Sequence, residues 1–327
     1  MAGKQTVNAA VVCHKGCVRS NNEDNFFFNG HYMSLNAINN GAVMTHSFTD
    51  KNQLYGVFDG MGGGDWGERA STLAAQNMQR VYLNMGSGDA EKLLDDFALD
   101  TNERIVEDGR AHQVDTQGTT MAVVLLRGAE CHVCNVGDSR VYLMRGHKLR
   151  QLSEDHSLVA EMVRQGRLTA EQARKSPKNN VITQFLGMTD GERPQKLTSY
   201  KKVDLQPGDR LMLCSDGLCD LLSHADLEER MATTEKAKDC ARQLVLTALE
   251  VGGKDNTTCI VLDLGDFTPR LPVPQDRKNM FPGVVNPTDK QPAKVAPTGD
   301  TGFIVRNGSG KAAPKPEKKA EESTSIL

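Results

Sequence analysis

The apolar run Leu54-Tyr55-Gly56-Val57-Phe58 passes without a break into Asp59-Gly60-Met61-Gly62-Gly63-Gly64. Such a segment reads as a buried strand that delivers one carboxylate to a loop too glycine-rich to crowd it. A carboxylate at a strand end beside bare backbone suits a hard cation, which takes carboxylate, carbonyl and water oxygens. A tight turn closing an ordinary strand would give the same letters. The feature fixes a strand end and leaves its purpose open.

Further acidic positions repeat the arrangement. Arg19-Ser20-Asn21-Asn22-Glu23-Asp24 precedes it; Val136-Gly137-Asp138-Ser139-Arg140, Cys214-Ser215-Asp216-Gly217-Leu218 and Gly253-Lys254-Asp255-Asn256-Thr257-Thr258 come after it. Asp59, Asp138 and Asp216 each stand where a strand-like run meets a turn, and Asp255 stands just before one, Thr257 to Leu264. Carboxylates gathered from several strand ends repel one another, and removal from water adds to the cost. A cation neutralises such a cluster, so the constellation implies divalent metal.

In this order, RSNNED (19–24), FDGMGG (58–63), GTT (118–120), VGDSR (136–140), SDGLCD (215–220) and KDNTT (254–258) resemble the motif series of the metal-dependent serine/threonine protein phosphatases, the PPM or protein phosphatase 2C family. The resemblance covers roughly residues 5 to 265, and the DGMGG form is similar to that of bacterial members. It implies an α+β fold: a four-layer αββα sandwich, two antiparallel sheets flanked by helices, with a binuclear metal cleft at one end. It also implies hydrolysis of phosphoserine and phosphothreonine by direct attack of a metal-bound water, opposing a bacterial serine/threonine kinase and its targets.

The resemblance carries over to particular residues. Asp59 would bridge two cations, and the Gly60 carbonyl would ligate one of them, where a residue without a side chain leaves open approach. Asp216 and Asp255 would hold the other, with Asp24, and Glu23 through water, at the first. Asp138 with Asp216 would bind a third, weaker ion; a turn-stabilising Asp is the rival reading. Asp59, Asp216 and Asp255 form the catalytic set. All-oxygen ligation points to Mn²⁺ or Mg²⁺ rather than zinc. Arg19 takes the substrate phosphate, because a guanidinium fork matches two phosphate oxygens and stays charged at any working pH. Cys17 and Cys214 have no evident His partner, which excludes a cysteine nucleophile. Met61 and Gly64 stand where members of the family carry a His that protonates the leaving group. A metal-bound water or His156 is left for that task. The rival function is a catalytically inactive phosphoprotein-binding scaffold, which would be expected to have lost the metal aspartates.

Composition bounds the partners. Hydrophobic residues make up 38% and charged residues 25% of the 327 residues, as in a soluble globular chain. No apolar run approaches the ~20 residues of a membrane helix, and MAGKQTVNAA lacks the apolar core of a signal peptide. Eight cysteines in a chain this long are not a disulfide framework. Cys131 and Cys134 form a CxxC inside a strand-like run, with no second pair to complete a zinc set. A reduced, cytoplasmic, monomeric protein is expected. Residues 1–267 hold 29 Lys plus Arg against 36 Asp plus Glu, an acidic body that argues against nucleic acid.

The pattern changes at Phe267. Nine of the twelve prolines lie beyond it among lysines and small residues, so 268–327 reads as a flexible tail and 1–267 as the phosphatase domain. Phe303-Ile304-Val305 is the apolar spot in that tail, a candidate docking segment. Within the body, strands are expected at Thr6–Cys13, Asn25–Phe28, Leu54–Phe58, Thr119–Leu126, Glu130–Val136, Arg140–Met144, Leu197–Val203, Asp209–Cys214 and Thr257–Leu264. Helices are expected at Trp66–Asn84, Ala90–Asp108 and Glu235–Glu250, the first with Ala70, Leu73, Ala74, Asn77 and Val81 on one face. The three runs from Thr119 to Met144 suggest one antiparallel meander. Met33 to Lys51 reads as a surface loop, and 154–180 as the flap that lies beside the cleft in the resembling phosphatases.

Overall fold

The computed structural model describes residues 6–62, 66–114 and 116–271, and the backbone of 305–307. Gly63 and Gly64, and most of the expected tail, lie outside the described residues. The elements run β1 (Val7–His14), β2 (Asp24–Phe28), β3 (Ala42–Phe48), β4 (Asn52–Gly62), α1 (Trp66–Asn84), α2 (Ala90–His112), β5 (Gln117–Thr119), β6 (Met121–Arg127), β7 (Glu130–Val136), β8 (Arg140–Arg145) and β9 (Lys148–Gln151). Then come α3 (Leu158–Arg164), α4 (Ala170–Arg174), β10 (Ser199–Asp204), β11 (Arg210–Cys214), α5 (Asp216–Cys219), α6 (His224–Thr233), α7 (Ala237–Glu250), β12 (Thr257–Leu264) and β13 (Val305–Asn307).

Two sheets form, in the orders β13-β3-β1-β12-β11-β8-β9 and β10-β7-β6-β4-β2, with β5 paired to the end of β4. All pairings are antiparallel except β13 on β3, Val305 opposite Val43. Strands apolar on both faces explain the stacking, because side chains alternate between faces and both must be covered. On β1, Ala9, Val11 and Cys13 enter the layer between the sheets, while Ala10 and Val12 face α7. On β6, Ala122, Val124 and Leu126 point between the sheets, and Met121, Val123 and Leu125 face α1 and α2. The αββα sandwich is the result. The same alternation sends Cys131 between the sheets and Cys134 toward α2, so the CxxC thiols share no face, and all eight cysteines are free.

The helix α1 packs closely on its sheet through Ala70, Ala74, Ala75, Met78 and Val81. Leu73 is only partly covered, and Asn77 turns to α2, donating to Asp100 and Thr101 at 2.8 Å each.

Three expectations are corrected. Met33 to Lys51 is not merely a surface loop: it holds a short 3₁₀ turn and β3, which pairs with β1 along its length. Its residues are half-buried and mixed in polarity because β3 lies near the sheet margin, so no clean alternation marks it. The strands from Thr119 to Met144 are not one meander. β6 and β7 form a hairpin in one sheet, and the chain crosses at Gly137-Asp138-Ser139 to β8 in the other. Finally, packing does not stop at Phe267. The Arg270 N–H donates to Ala232 O at 2.7 Å, and the Thr268 carbonyl lies 2.9 Å from His147 Nε2.

Arg210 is fully buried, and its guanidinium forks onto Asp263 at 2.5 and 3.0 Å. It also donates to the carbonyls of Met231, Thr234 and Glu235 and lies 3.7 Å from the Phe267 ring centroid. Asp263 accepts in turn from the Ala237 N–H at 2.8 Å, tying the start of α7 to β12. Removing one partner of a buried pair strands the other charge, at a cost of about 3–5 kcal/mol. Asp263→Ala is therefore expected to lower unfolding stability by about that amount in urea denaturation; a change below about 1 kcal/mol would contradict the role given to the pair.

Candidate active site

The ends of strands from both sheets meet at one place. β2 and β4 run antiparallel with Asp24 opposite Asp59. The backbone of Asp59 is held by the GTT segment: its N–H donates to Thr120 Oγ1 at 3.0 Å, and its carbonyl accepts from Thr120 N at 2.8 Å and Thr119 Oγ1 at 3.0 Å. None of these bonds uses the carboxylate. Gly60 comes next, in a position that admits no side chain, since a Cβ would stand 2.0 Å from Gly67 O and 2.6 Å from Glu23 O.

From the other sheet, β11 ends at Cys214, and Asp216 opens the short α5. Between them, Ser215 Oγ donates to Asp24 Oδ2 at 2.7 Å and accepts from Thr258 N at 2.9 Å. That hydroxyl ties β2, β11 and β12 together beneath the cleft. Gly217 packs so closely on Asn256 that a Cβ would lie 2.0 Å from its carbonyl. Asn256 clamps the loop before β2: its side chain donates to Lys15 O at 2.8 Å and Asn21 O at 2.9 Å, and accepts from Glu23 N at 2.7 Å. Asp255 and Arg19 are thereby neighbours, and Arg19 Nη2 donates to Asp255 Oδ2 at 2.6 Å.

Asp138 sits on the corner where the chain changes sheets. Gly137 has φ 94° there, and a Cβ would stand 2.7 Å from Thr120 Cγ2, so glycine is required twice over. Thr120 Oγ1 also pairs with Ser139 Oγ at 2.7 Å. Arg140, which opens β8, does more than begin a strand: it forks onto Asp155 at 2.6 and 2.8 Å. A cavity of about 510 Å³ opens from Asp138 and Asp216 toward residues 154–180, lined by Val159 and Val163 of that segment and by Leu222 and Leu227.

Burial and mutual repulsion dominate the electrostatics. Asp59 and Asp138 are pushed well above the usual carboxylate range, first by burial and then by their acidic neighbours, Asp216 among them. Burial lifts Asp24 to about 7, although the Ser215 and Thr258 hydrogen bonds oppose the rise, and lifts Asp216 to about 6. Glu23, half-buried, is raised for the same reason. These shifts mark acids that lack an adequate counter-charge.

The residues singled out in sequence thus gather: Asp24, Asp59, Asp138 and Asp216 are raised amid their acidic neighbours, Asp255 acts on Asp24 and Asp59, Gly60 is buried beside them, and Glu23 and Arg19 stand near Asp255. His156 does not join them. Its Nδ1 accepts from Gly137 N at 3.2 Å and its Nε2 pairs with Ser199 Oγ at 2.8 Å, so both ring nitrogens are occupied beneath the corner. Thr119, Thr120, Ser215 and Asn256 support the acids, a part that acidic character does not reveal. They lie inside the six motifs, but their partners are distant in sequence.

The donor set suits a hard cation. Asp24 Oδ1 and Asp138 Oδ1 are buried without a hydrogen-bond partner, and buried polar atoms are ordinarily satisfied. Among the described residues no three His, Cys, Asp or Glu side chains already close into a coordination cage. The carboxylates are assembled, while Arg19 engages Asp255 and Ser215 engages Asp24.

Comparison with known proteins agrees with this geometry. Residues 37–250 match the family model described as protein phosphatase 2C. The serine/threonine phosphatase stp of Listeria monocytogenes is 30% identical over 254 residues, covering 76% of this chain and 92% of that protein. The protein phosphatase PhpP of Streptococcus pneumoniae is 32% identical over 211 residues, covering 64% and 84%. Among solved structures, the serine/threonine phosphatase PstP/Ppp of Mycobacterium tuberculosis superposes with a TM-score of 0.66 at 29% identity, covering 80% of this chain and 99% of that one. A catalytic domain of PstP in complex with two manganese ions gives 0.65 at 28% identity, covering 80% and 100%. The fold, the ordered motifs and these matches lead to one conclusion: the chain belongs to the protein phosphatase 2C family.

Proposed function

We propose that the cleft hydrolyses phosphoserine and phosphothreonine in proteins by direct attack of water, dependent on divalent cations. The observation that carries this reading is the convergence of separately delivered, desolvated aspartates with unpartnered oxygens, rimmed by one guanidinium. Asp59, Asp24, Asp216, Asp255 and the Gly60 carbonyl hold two Mn²⁺ or Mg²⁺ ions, with Glu23 acting through water and Asp138 and Asp216 available for a third, weaker ion. Bound cations of this kind make water nucleophilic near neutral pH and offset charge on phosphoryl oxygens.

The chain's own residues supply the rest. Arg19 reaches Asp255 across the rim, so its fork can pass to a phosphate arriving beside the cluster while remaining charged. Burial of Asp24 and the closely packed Gly60 and Gly217 limit bulk water below the cleft. His156, bonded through both nitrogens, is not free to protonate the leaving serine oxygen. Residues 1–267 carry catalysis with Thr268 and Arg270 packed against them, 154–180 form the flap, and the rest of 268–327 is a tail outside the catalytic body. A scaffold without turnover would have no reason to keep this acidic set complete. Eight unpaired thiols support a reducing, cytoplasmic setting, where the enzyme as a monomer opposes a serine/threonine kinase and its targets. No helix of the described residues is long and apolar enough to cross a membrane.

Pure protein with saturating Mn²⁺ is expected to release phosphate from phosphoserine and phosphothreonine peptides, and Asp59→Asn to lower kcat by about 10²–10³-fold. Absence of phosphate release by the unaltered chain would defeat the reading. Arg19→Ala removes a charged hydrogen-bond donor worth about 1.5–3 kcal/mol, so kcat/KM for phosphopeptide should fall about 10–100-fold; an unchanged value would remove Arg19 from phosphate binding.

The acidic cluster also sets a pH dependence in metal-free protein. Folded Asp24 and Asp216 keep protons up to about 7 and about 6, whereas unfolded aspartates lose theirs near about 4. The folded chain therefore binds more protons in between, and this contribution, complete at about pH 4, is lost as pH rises through about 6 to 7. Tm of the metal-free protein should fall across that window, more shallowly in Asp24→Asn, and added Mn²⁺ should raise Tm more at the upper end. A metal-free Tm that rises over the same window would refute the assignment.

A further inference from the structure

The outer strand of a sheet shows a row of unpaired N–H and C=O groups that invites another strand, and proteins blunt it with lysine, proline, a bulge, brevity or a cover. Three outer strands of this fold are blunted. β9 is four residues long and carries Lys148 and Arg150, β10 presents Lys201 and Lys202 to solvent, and β2 is buried along its length. β3 has no such device of its own. Its seven residues, Ala-Val-Met-Thr-His-Ser-Phe, include no lysine, arginine, carboxylate or proline. Its register with β1 runs without a bulge from Val7 opposite Phe48 to Cys13 opposite Ala42. Val43 and Met44 on it are apolar and only partly buried.

That edge is covered from the tail. Val305, Arg306 and Asn307 pair in parallel with Val43, Met44 and Thr45. In sequence they continue Phe303-Ile304, a cluster of β-favouring residues bounded by Gly302 and by Gly308-Ser309-Gly310. The connection is long enough. The chain is held beside the β8–β9 turn, where the Thr268 carbonyl lies 2.9 Å from His147 Nε2. The strand order puts β13 across the whole sheet from β9, on the order of 29 Å at ~4.8 Å per strand. Residues 272–304 can span on the order of 110 Å when extended, so one molecule can supply its own cover.

We infer that the tail strand at 305–307 is an intramolecular cap, and that the β3 edge beneath it otherwise pairs with β3 of a second copy of this chain. This rests on the reading of the chain as a monomer and is independent of the chemistry of the cleft. Two β3 strands related by a two-fold axis run antiparallel and bring no like charges together. A cap of three residues competes with that longer ladder because its tether makes pairing intramolecular.

The test compares the full chain with its Val305→Pro/Arg306→Pro variant, since proline has no N–H to give to a ladder. By analytical ultracentrifugation the unaltered chain should be monomeric, and the variant should form a dimer whose share rises with concentration. Thr45→Lys, added to the variant, should return the monomer by setting like charges against each other across paired β3 strands. A variant that stays monomeric, or a dimer that survives Thr45→Lys, overturns the inference. An unaltered chain that is already a dimer defeats the monomer reading and the cap with it; if the two prolines dissolve that dimer, the tail pairs with a second copy instead. Hydrogen exchange, at a dilution where both proteins are monomers, reads the cap directly. The β3 amides that face away from β1 should exchange about tenfold more slowly in the unaltered chain than in the variant, as for a hydrogen bond of ordinary strength, and equal rates overturn the inference. Should the variant fail to fold, the unaltered chain decides: outward β3 amides that exchange as fast as those of the exposed Thr49, Asp50 and Lys51 overturn the cap.

Discussion

Like charges held together out of water dominate this molecule. Asp24, Asp59, Asp138 and Asp216 are all raised by burial and by acidic neighbours, and a carboxylate in such surroundings costs free energy until a cation or proton joins it. The chain meets that cost without quenching the acids. Hydrogen bonds at Asp59 and beside Asp138 go to the backbone, leaving the carboxylate oxygens available. Asp24 and Asp255 are exceptions: Ser215 engages one oxygen of Asp24, and Arg19 and the Asn256 N–H engage Asp255. The side chains are aimed by what holds the main chain: the two sheets, tied beneath the cleft by the Thr120, Ser215 and Asn256 side chains.

That support depends on close approach. The cleft forms where β2 and β4 of one sheet meet β8, β11 and β12 of the other, so its dimensions depend on how tightly the sheets pack. The layer between them is filled by interleaved branched and aromatic side chains, with Phe26, Phe28, Tyr55 and Val57 facing Val11, Leu213, Ile260 and Leu262. At the cleft itself the packing becomes backbone against backbone, at Gly60 against Gly67 and Glu23, and at Gly217 against Asn256. The glycine richness of 56–64 thus has a further cause than room for a cation: any side chain at Gly60 would push α1 and β2 away from β4.

Strongly patterned elements were legible in the sequence. Strands apolar on both faces, such as Glu130–Val136 and Thr257–Leu264, and the long helix Trp66–Asn84 appear with the bounds their patterns suggest, because burial on two sides leaves little freedom of composition. β3 was hidden by half exposure, and β9 by its four-residue length. The helix α6 also escaped notice, although Ser223 and Asp226 form a reciprocal cap at its start. Within the site, the acids could be read because their types and turn contexts carry chemistry. The clamps could not: Asn256 contacts Lys15, 241 residues away, and His156 meets Ser199, 43 residues away. Side-chain type states what bonds a residue is able to make, and only the fold states with whom.

Residues 154–180 make that distinction concrete. They hold the two short helices α3 and α4, and nothing in their sequence separates an inert cover from a working part. In the fold their attachments are unequal. The base is zipped by main-chain bonds of 2.8 and 2.9 Å that continue into the Asp138 corner, and Asp155 beside it is forked by Arg140. Residues between the two ends touch the body through longer, exposed contacts, Asn179 to Asp220 at 3.3 Å and Arg174 to the Asp220 carbonyl at 3.5 Å. Segments held by few, solvent-exposed bonds open at the least cost in free energy. By that measure the bonds to Asp220 are the weaker attachment of 154–180, and the main-chain bonds beside the Asp138 corner are the stronger one.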